Sequence, residues 1–195
     1  LSSMQQNQIT ITHAQPSQAA VIAQLIMQAM TDECCLSFVG SGQTLDDFRQ
    51  LMHTLVALPD TQYSFRNTWV ALHRQTVVGC CVAYEGSRLH GLRQAFVDGA
   101  RRAFGRDHSC MPDETQAGEF YVDSLAVLSA YQGRGIATQL LQAVQQQACA
   151  LQLPVGLLVD TSNPAAERLY RRLGFRPVGE AVWGCHAMKH MQWRG

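Results

Sequence analysis

The sequence lacks an excess of charge of either sign. Fifteen Lys and Arg residues balance fifteen Asp and Glu residues in a chain of 195. No basic run is interleaved with aromatic residues, although proteins that bind nucleic acid need such a basic surface. Nucleic acid is therefore not an expected partner.

Long apolar runs and cysteine motifs are also missing. No apolar run approaches the roughly 18 residues that a membrane span needs, and the polar start LSSMQQNQ has neither the basic region nor the apolar core of a signal peptide. The seven cysteines form no CxxC motif and no small-domain disulfide pattern. They are typical of reduced thiols that pack as small apolar groups. We expect a cytoplasmic protein without a membrane partner.

The chain has enough apolar residues to bury a core. Its hydrophobic fraction is 47%, and its length suits one ordinary domain. We expect a single domain over residues 4–195, which begins at Met4 and leaves residues 1–3 outside it. The sequence leaves a homodimer open.

Apolar periodicity predicts an alternation of strands and helices. The capping-box pair Thr44 and Asp47 marks one helix start, and Asn163, Pro164 and Gly174 punctuate a short helix at both ends. The predicted elements are a strand at 9–14, a helix from about 17, a helix at 44–58, a hairpin within 67–84, a strand at 119–128, a helix at 136–151, a strand at 154–160, a helix from 164 and terminal strand at 178–193.

Residues 84–118 form a long connection between two predicted strands. Its first part has helical periodicity and its second part is polar and rich in turn formers. A connection of this length in a compact domain is often a lid or a binding loop. We expect a helix followed by a loop. The acidic, His and Cys residues of that loop lack metal-ligand spacing, so no metal site is predicted.

The stretch YQGRGIATQL, residues 131–140, places two glycines directly before an amphipathic helix. Glycine allows close approach to the backbone, and the first turn of a helix leaves about four N–H groups without partners. Together they suit an anion such as a phosphate, although an ordinary loop-to-helix junction would look the same. A dinucleotide or triphosphate site is disfavoured because neither a third spaced glycine nor a Lys-Ser/Thr pair follows.

The order of parts resembles the GNAT superfamily of acyl-CoA-dependent N-acetyltransferases. The resemblance rests on a strand, a Gln-x-x-Gly-x-Ala turn, an amphipathic helix, an apolar strand and Asn-Pro-Ala-Ala followed by Leu-Tyr-x-x-x-Gly-Phe. It is close over residues 119–176 and weaker over 9–84. It implies an α/β fold with a mixed, splayed central β-sheet and helices on both faces.

The resemblance also implies acetyl-CoA as cosubstrate, without a metal. The turn that starts at Gln132 would hold the pyrophosphate through backbone N–H groups, and the strand from Leu125 to Val127 would pair with the pantetheine arm. Asn163 would contact the arm or only cap its helix. The implied binding residues are Leu125, Ala126, Val127, Gln132, Gly133, Arg134, Gly135, Ile136, Ala137, Thr138, Asn163, Ala166 and Tyr170.

The implied reaction is direct transfer of acetyl to a primary amine. Tyr170 matches the family's phenol, which protonates the departing thiolate, unless it only packs. Glu119 and Asp123 are candidate bases because a spacing of four places both carboxylates on one face of a strand. They could equally be solvated, and a water path could replace them. His186 and His190 are interpreted as structural.

The acceptor is the least determined part. Arg88, His90 and Arg93 begin the insertion, and Asp113 and Glu114 lie in its loop. One end could meet the carboxylate of an acceptor and the other its ammonium, which predicts a small, zwitterionic amine. The alternatives are a helix that only covers the sheet, a peptide or protein N-acetyltransferase, and a non-catalytic acyl-CoA sensor or interaction module.

Overall fold

Strands and helices alternate along nearly the whole chain. The computed structural model describes residues 8–195, so the predicted domain start at Met4 lies outside the described residues. The elements are β1 (Ile9–His13), α1 (Ala19–Met30), α2 (Asp32–Val39), α3 (Leu45–Ala57), β2 (Thr68–His73), β3 (Thr76–Glu85), α4 (Leu89–Phe104), β4 (Phe120–Val127), α5 (Ile136–Ala150), β5 (Val155–Asp160), α6 (Pro164–Arg172), β6 (Arg176–Trp183) and β7 (His186–Trp193).

The strands form one seven-stranded sheet in the order β1-β2-β3-β4-β5-β7-β6. All neighbouring strands are antiparallel except β4 and β5. The chain between β4 and β5 forms the crossover helix α5, and such a crossover returns the next strand in the parallel direction. The predicted mixed α/β sheet is confirmed.

A hydrophobic core lies on each face of the sheet. On one face, here called the α1 face, Leu25 of α1, Phe48 of α3 and Phe96 of α4 pack with sheet residues such as Tyr121. The opposite face, called the α5 face, is covered by α5 and α6, and Leu140 of α5 is fully buried in its core. The helices therefore cover both faces, as predicted.

Two elements differ from the sequence prediction. Helix α2 was not predicted; it follows Thr31, whose backbone has φ of 77° and whose hydroxyl accepts the Cys34 N–H. The terminal segment forms two strands instead of one, because the chain reverses at Gly184 and Cys185, which both have positive φ. A two-residue turn of this kind usually contains Asn or Asp with Gly, so the Gly-Cys pair is a weak signal.

The predicted capping motifs are present. Thr44 and Asp47 form a reciprocal capping box at the start of α3, and the Asn163 side chain accepts the Ala166 N–H at 3.1 Å at the start of α6. Among residues 8–195, no single helix has the length and apolarity of a membrane span, although Pro16–Met30 and Asp32–Val39, bent by 101°, meet the criteria as a pair.

Candidate active site

The sheet opens between β4 and β5. These strands pair only at Phe120 with Val155, Tyr121 with Gly156 and Val122 with Leu157. Both strands continue beyond that point, β4 to Val127 and β5 to Asp160. The opening, here called the β4/β5 gap, therefore begins at Asp123 and Leu158.

A β-bulge in β4 lies where the gap begins. Val82 of β3 pairs with Ser124 and Ala83 pairs with Val122, so Asp123 has no partner on β3. A bulge of this kind bends the strand and redirects its side chains. The β4/β5 gap and the bulge therefore coincide at one residue.

The backbone of β4 is accessible from the gap. The Leu128 N–H donates to the Val78 carbonyl on β3, and in an antiparallel ladder the preceding residue then points its groups to the other side. The Val127 carbonyl accepts side-chain amides instead, from Gln28 at 2.9 Å and Gln132 at 3.0 Å. Sequence analysis missed Gln28, which nothing in the periodicity of α1 distinguishes.

The glycine turn after β4 presents a row of backbone N–H groups. Gly133 and Gly135 have φ of 73° and 75°, which L side chains adopt only with strain. The first backbone bond into α5 runs from the Gln139 N–H to the Gly135 carbonyl. In the described part of the chain, the N–H groups of residues 133–138 have no hydrogen-bond partner. This arrangement has the chemistry of an anion site at a helix N-terminus.

Aromatic and cationic side chains border this turn. The Arg134 guanidinium lies 5.0 Å from the centre of the Tyr131 ring, and the Tyr131 hydroxyl is 2.9 Å from His73 Nδ1. Arg134 is exposed. Its charge is thus held against the turn by a cation–π contact.

Tyr170 of α6 packs against the core of the α5 face. Its ring lies 5.9 Å from that of Phe175 and packs with the core of this face. Burial raises the pKa of Tyr170 to about 12, with a further contribution from the Cys81 thiol, and Cys81 pairs with Leu125 of β4. The phenol therefore stays protonated at neutral pH, and within residues 8–195 its hydroxyl has no hydrogen-bond partner. Asn163 and Ala166 form the cap of the same helix.

Asp123 belongs to a buried polar cluster on the α1 face. It accepts hydrogen bonds from the Tyr84 hydroxyl at 2.6 Å and the Gln62 amide at 2.8 Å. The same Gln62 amide also donates to Glu114 of the insertion. Burial raises the pKa of Asp123, although these hydrogen bonds oppose the shift. Burial and the charge of Asp123 raise the pKa of Glu114 well above its ordinary range.

Glu119 belongs to a second cluster on the same face. Its Oε1 accepts the Thr115 hydroxyl at 2.6 Å, and its Oε2 accepts His190 Nε2 at 2.7 Å and the Gln192 amide at 2.8 Å. Burial opposes ionisation, yet these three bonds hold the pKa of Glu119 below its ordinary value. Glu119 and Asp123 thus share a face, as the spacing predicts, but have different partners. Thr115, His190 and Gln192 were not predicted as members of the site.

The insertion differs from the predicted arrangement. Its positive and negative ends pair with each other: Arg93 lies 3.4 Å from Asp113 and 3.7 Å from Glu114, and His90 lies 2.8 Å from Asp113. The Arg93 side chain is only 8% exposed and also donates to two loop carbonyls. Arg88 is exposed on the surface. The basic residues of α4 and the acidic residues of the loop are therefore not free to bind opposite ends of an acceptor.

His186 and the candidate metal ligands among the described residues lie apart from these two clusters or do not form a site. His186, interpreted as structural, lies 3.1 Å from Asp160 at the far end of β7. Among the described residues, no group of three or more His, Cys, Asp or Glu side chains has the arrangement of a metal site.

Comparison with known proteins gives consistent matches. A sequence model described as the acetyltransferase (GNAT) family matches residues 30–175. A curated acetyltransferase of Agrobacterium fabrum is 40% identical over 65 residues, which are 33% of this chain and 47% of that protein. The match thus spans about half the length of this relative.

Solved structures of similar fold cover nearly the whole chain. A crystal structure described only as an acetyltransferase superposes with a TM-score of 0.78 and 26% identity over 95% of this chain and 98% of its own. An N-acetyltransferase from Staphylococcus aureus Mu50 gives a TM-score of 0.82 and 23% identity over 94% and 99%.

Proposed function

Because the chain belongs to the acetyltransferase (GNAT) family, we propose that it transfers the acetyl group of acetyl-CoA directly to the primary amine of a small molecule. Use of acetyl-CoA is general in this family. The observation that carries the proposal is the continuity of the β4/β5 gap with the glycine turn. One short segment joins them: β4, which borders the gap, ends at Val127, and the turn begins at Gln132, whose side-chain amide donates to the Val127 carbonyl.

The residues present fit acetyl-CoA. The N–H groups of residues 133–138 would hold the pyrophosphate, and the helix dipole of α5 favours an anion there by about 0.3–1 kcal/mol. The gap-facing backbone from Leu125 to Val127 would pair with the amides of the pantetheine arm, as a peptide adds to a sheet edge. When the arm is bound, the side-chain amides of Gln28 and Gln132 would give up their hydrogen bonds to the Val127 carbonyl. When bound, acetyl-CoA supplies the activated thioester.

Tyr170 is the proposed general acid. Burial raises the pKa of its phenol to about 12, so the phenol stays protonated at neutral pH. It would donate its proton to the departing thiolate. The acceptor amine would approach from the α1 face, where Asp123 and Glu119 lie.

The insertion supports a small acceptor. Helix α4 and the loop at 105–118 lie on the α1 face, and Glu114 from this loop reaches the Asp123 cluster. Because Glu114 is 7% exposed, the covered face suits a small amine better than an extended peptide. Of the predicted acceptor contacts, the exposed Arg88 stays in the proposal, whereas His90 and Arg93 pair with the insertion's own acids.

The test combines acetyl-CoA binding by calorimetry with CoA thiol release over panels of small amines and short peptides. We expect release with a small amine. Tyr170→Phe should lower kcat about 100-fold, in line with the effect of general acids, while the acetyl-CoA Kd changes less than twofold. Acetylation of peptides alone would refute the small acceptor. Tight acetyl-CoA binding without any transfer would favour a non-catalytic sensor.

A further inference from the structure

Glu119 is poorly arranged to take a proton from an amine itself. Both of its oxygens accept hydrogen bonds from protein side chains, three in total. The residue is 2% exposed, and its carboxylate is stabilised in the ionised form. Any effect of this carboxylate on an acceptor must therefore pass through a neighbouring group.

His190 is the neighbour of Glu119 that both reaches towards solvent and carries a basic ring nitrogen. Its side chain is 25% exposed, against 2% for Glu119. Because an ionised carboxylate only accepts hydrogen bonds, Nε2 of His190 must carry the hydrogen that it shares with Glu119. In the neutral ring the Nδ1 lone pair is then available. Within the described residues, the His190 side chain has no other hydrogen bond.

His190 lies at the level where the β4/β5 gap opens. It pairs with Leu158, the first residue of β5 after the last pair with β4. Its neighbour Met191 is buried in the core of the α5 face, so the alternation of strand side chains directs His190 to the α1 face. Asp123 and Glu119 lie on this face too.

We propose that His190 accepts the proton of the acceptor amine and that Glu119 is the positioning residue that sets its tautomer. This inference rests on the proposed acetyl transfer. The amine nitrogen forms a bond to the acyl carbon as the carbon–sulfur bond breaks. Nδ1 of His190 takes the proton that the nitrogen loses, and the thiolate takes the proton of Tyr170. Both side chains then return to their starting state by exchange with water.

The kinetic experiment compares two histidines on the same strand. In His190→Ala we expect kcat/KM for the best small amine to fall about 100-fold, as for loss of a general base, with the acetyl-CoA Kd within twofold of the wild type. Added 4-methylimidazole should restore at least tenfold. His186→Ala is the matched control, because His186 also faces a carboxylate, at 3.1 Å; its activity should stay within twofold and show no rescue.

A spectroscopic measurement tests the pair without relying on activity. In ¹⁵N NMR of the neutral ring, His190 of the wild type should be protonated at Nε2 and not at Nδ1. Glu119→Gln should give a mixture of tautomers and lower kcat about tenfold, with KM for the amine little changed.

Three results would overturn the inference: protonation at Nδ1 in the wild type, a kcat/KM of His190→Ala within threefold of the wild type, or no rescue by 4-methylimidazole. If the wild type binds acetyl-CoA but acetylates no amine, the proposed function fails, and the role of His190 fails with it. Transfer that survives loss of His190 refutes only the inference.

Discussion

A methyl group at Gly156 should displace the Glu119 carboxylate without changing any polar residue. A Cβ added at Gly156 would lie 2.7 Å from Glu119 Oε1 and closer still to Oε2. Contacts this short do not occur between real atoms of these types, and Gly156 is fixed within the ladder between β4 and β7. The carboxylate must therefore move in Gly156→Ala.

The cost follows from what the carboxylate would lose. Overpacking of a well-packed region costs about 1–3 kcal/mol, and each hydrogen bond to a charged group contributes about 1.5–3 kcal/mol. These contributions are not additive, since a displaced carboxylate can recover some partners or water. We expect Gly156→Ala to lower the free energy of unfolding by about 2–4 kcal/mol.

Urea unfolding followed by circular dichroism measures this loss. The matched control is Gly179→Ala in β6, where an added Cβ meets nothing within 4 Å; its stability should stay within about 0.5 kcal/mol of the wild type. The tautomer of His190 should also become mixed in Gly156→Ala. A stability equal to that of the control, with an unchanged His190 spectrum, would refute the reasoning.

Two further predictions concern the glycine turn and the buried acids. Gly135→Ala introduces a side chain at φ of 75° among the N–H groups that are proposed to hold the pyrophosphate, so the acetyl-CoA Kd measured by calorimetry should rise about tenfold. The control Gly42→Ala, at φ of 84°, carries similar strain and should leave the Kd unchanged. Burial, and then the charge of Asp123, raise the pKa of Glu114 in the folded protein. The contribution of its protonated form to the free energy of unfolding is therefore complete below the ordinary pKa of about 4.3. It decreases as the pH rises from there towards the folded-state pKa. Urea midpoints should therefore fall from pH 5 to pH 8 more steeply in the wild type than in Glu114→Gln, and parallel profiles would contradict the raised pKa.

Local sequence patterns predicted the elements that carry strong periodicity. Ile136, Leu140 and Val144 recur at helical spacing and form the buried side of α5. The capping box at Thr44 depends on residues three apart, and the positive φ of Gly133 and Gly135 is a property that glycine permits. Such features involve neighbours in the chain, so sequence analysis finds them without knowledge of the fold.

The charges of the insertion show where this reasoning failed. Arg93 and Asp113 were predicted to contact opposite ends of an acceptor, but they contact each other. The loop at 105–118 folds back on α4. Its acidic side chains therefore lie next to the basic side chains of α4, although the two groups are about 20 residues apart in the sequence. Burial of the Arg93 guanidinium favours this pairing, since a buried charge needs partners nearby.

The sequence by itself determined the family, the glycine turn before α5 and the shared face of Glu119 and Asp123, because each depends on a short segment or on the alternation of one strand. Only the tertiary structure decided which groups these carboxylates meet. His190 reaches Glu119 across 71 positions, and Gln62 reaches Asp123 across 61. The first contact depends on the register of β7 beside β5, and a slip of one residue would turn His190 to the other face of the sheet. The second depends on the path of the turn between α3 and β2, where Gln62 lies.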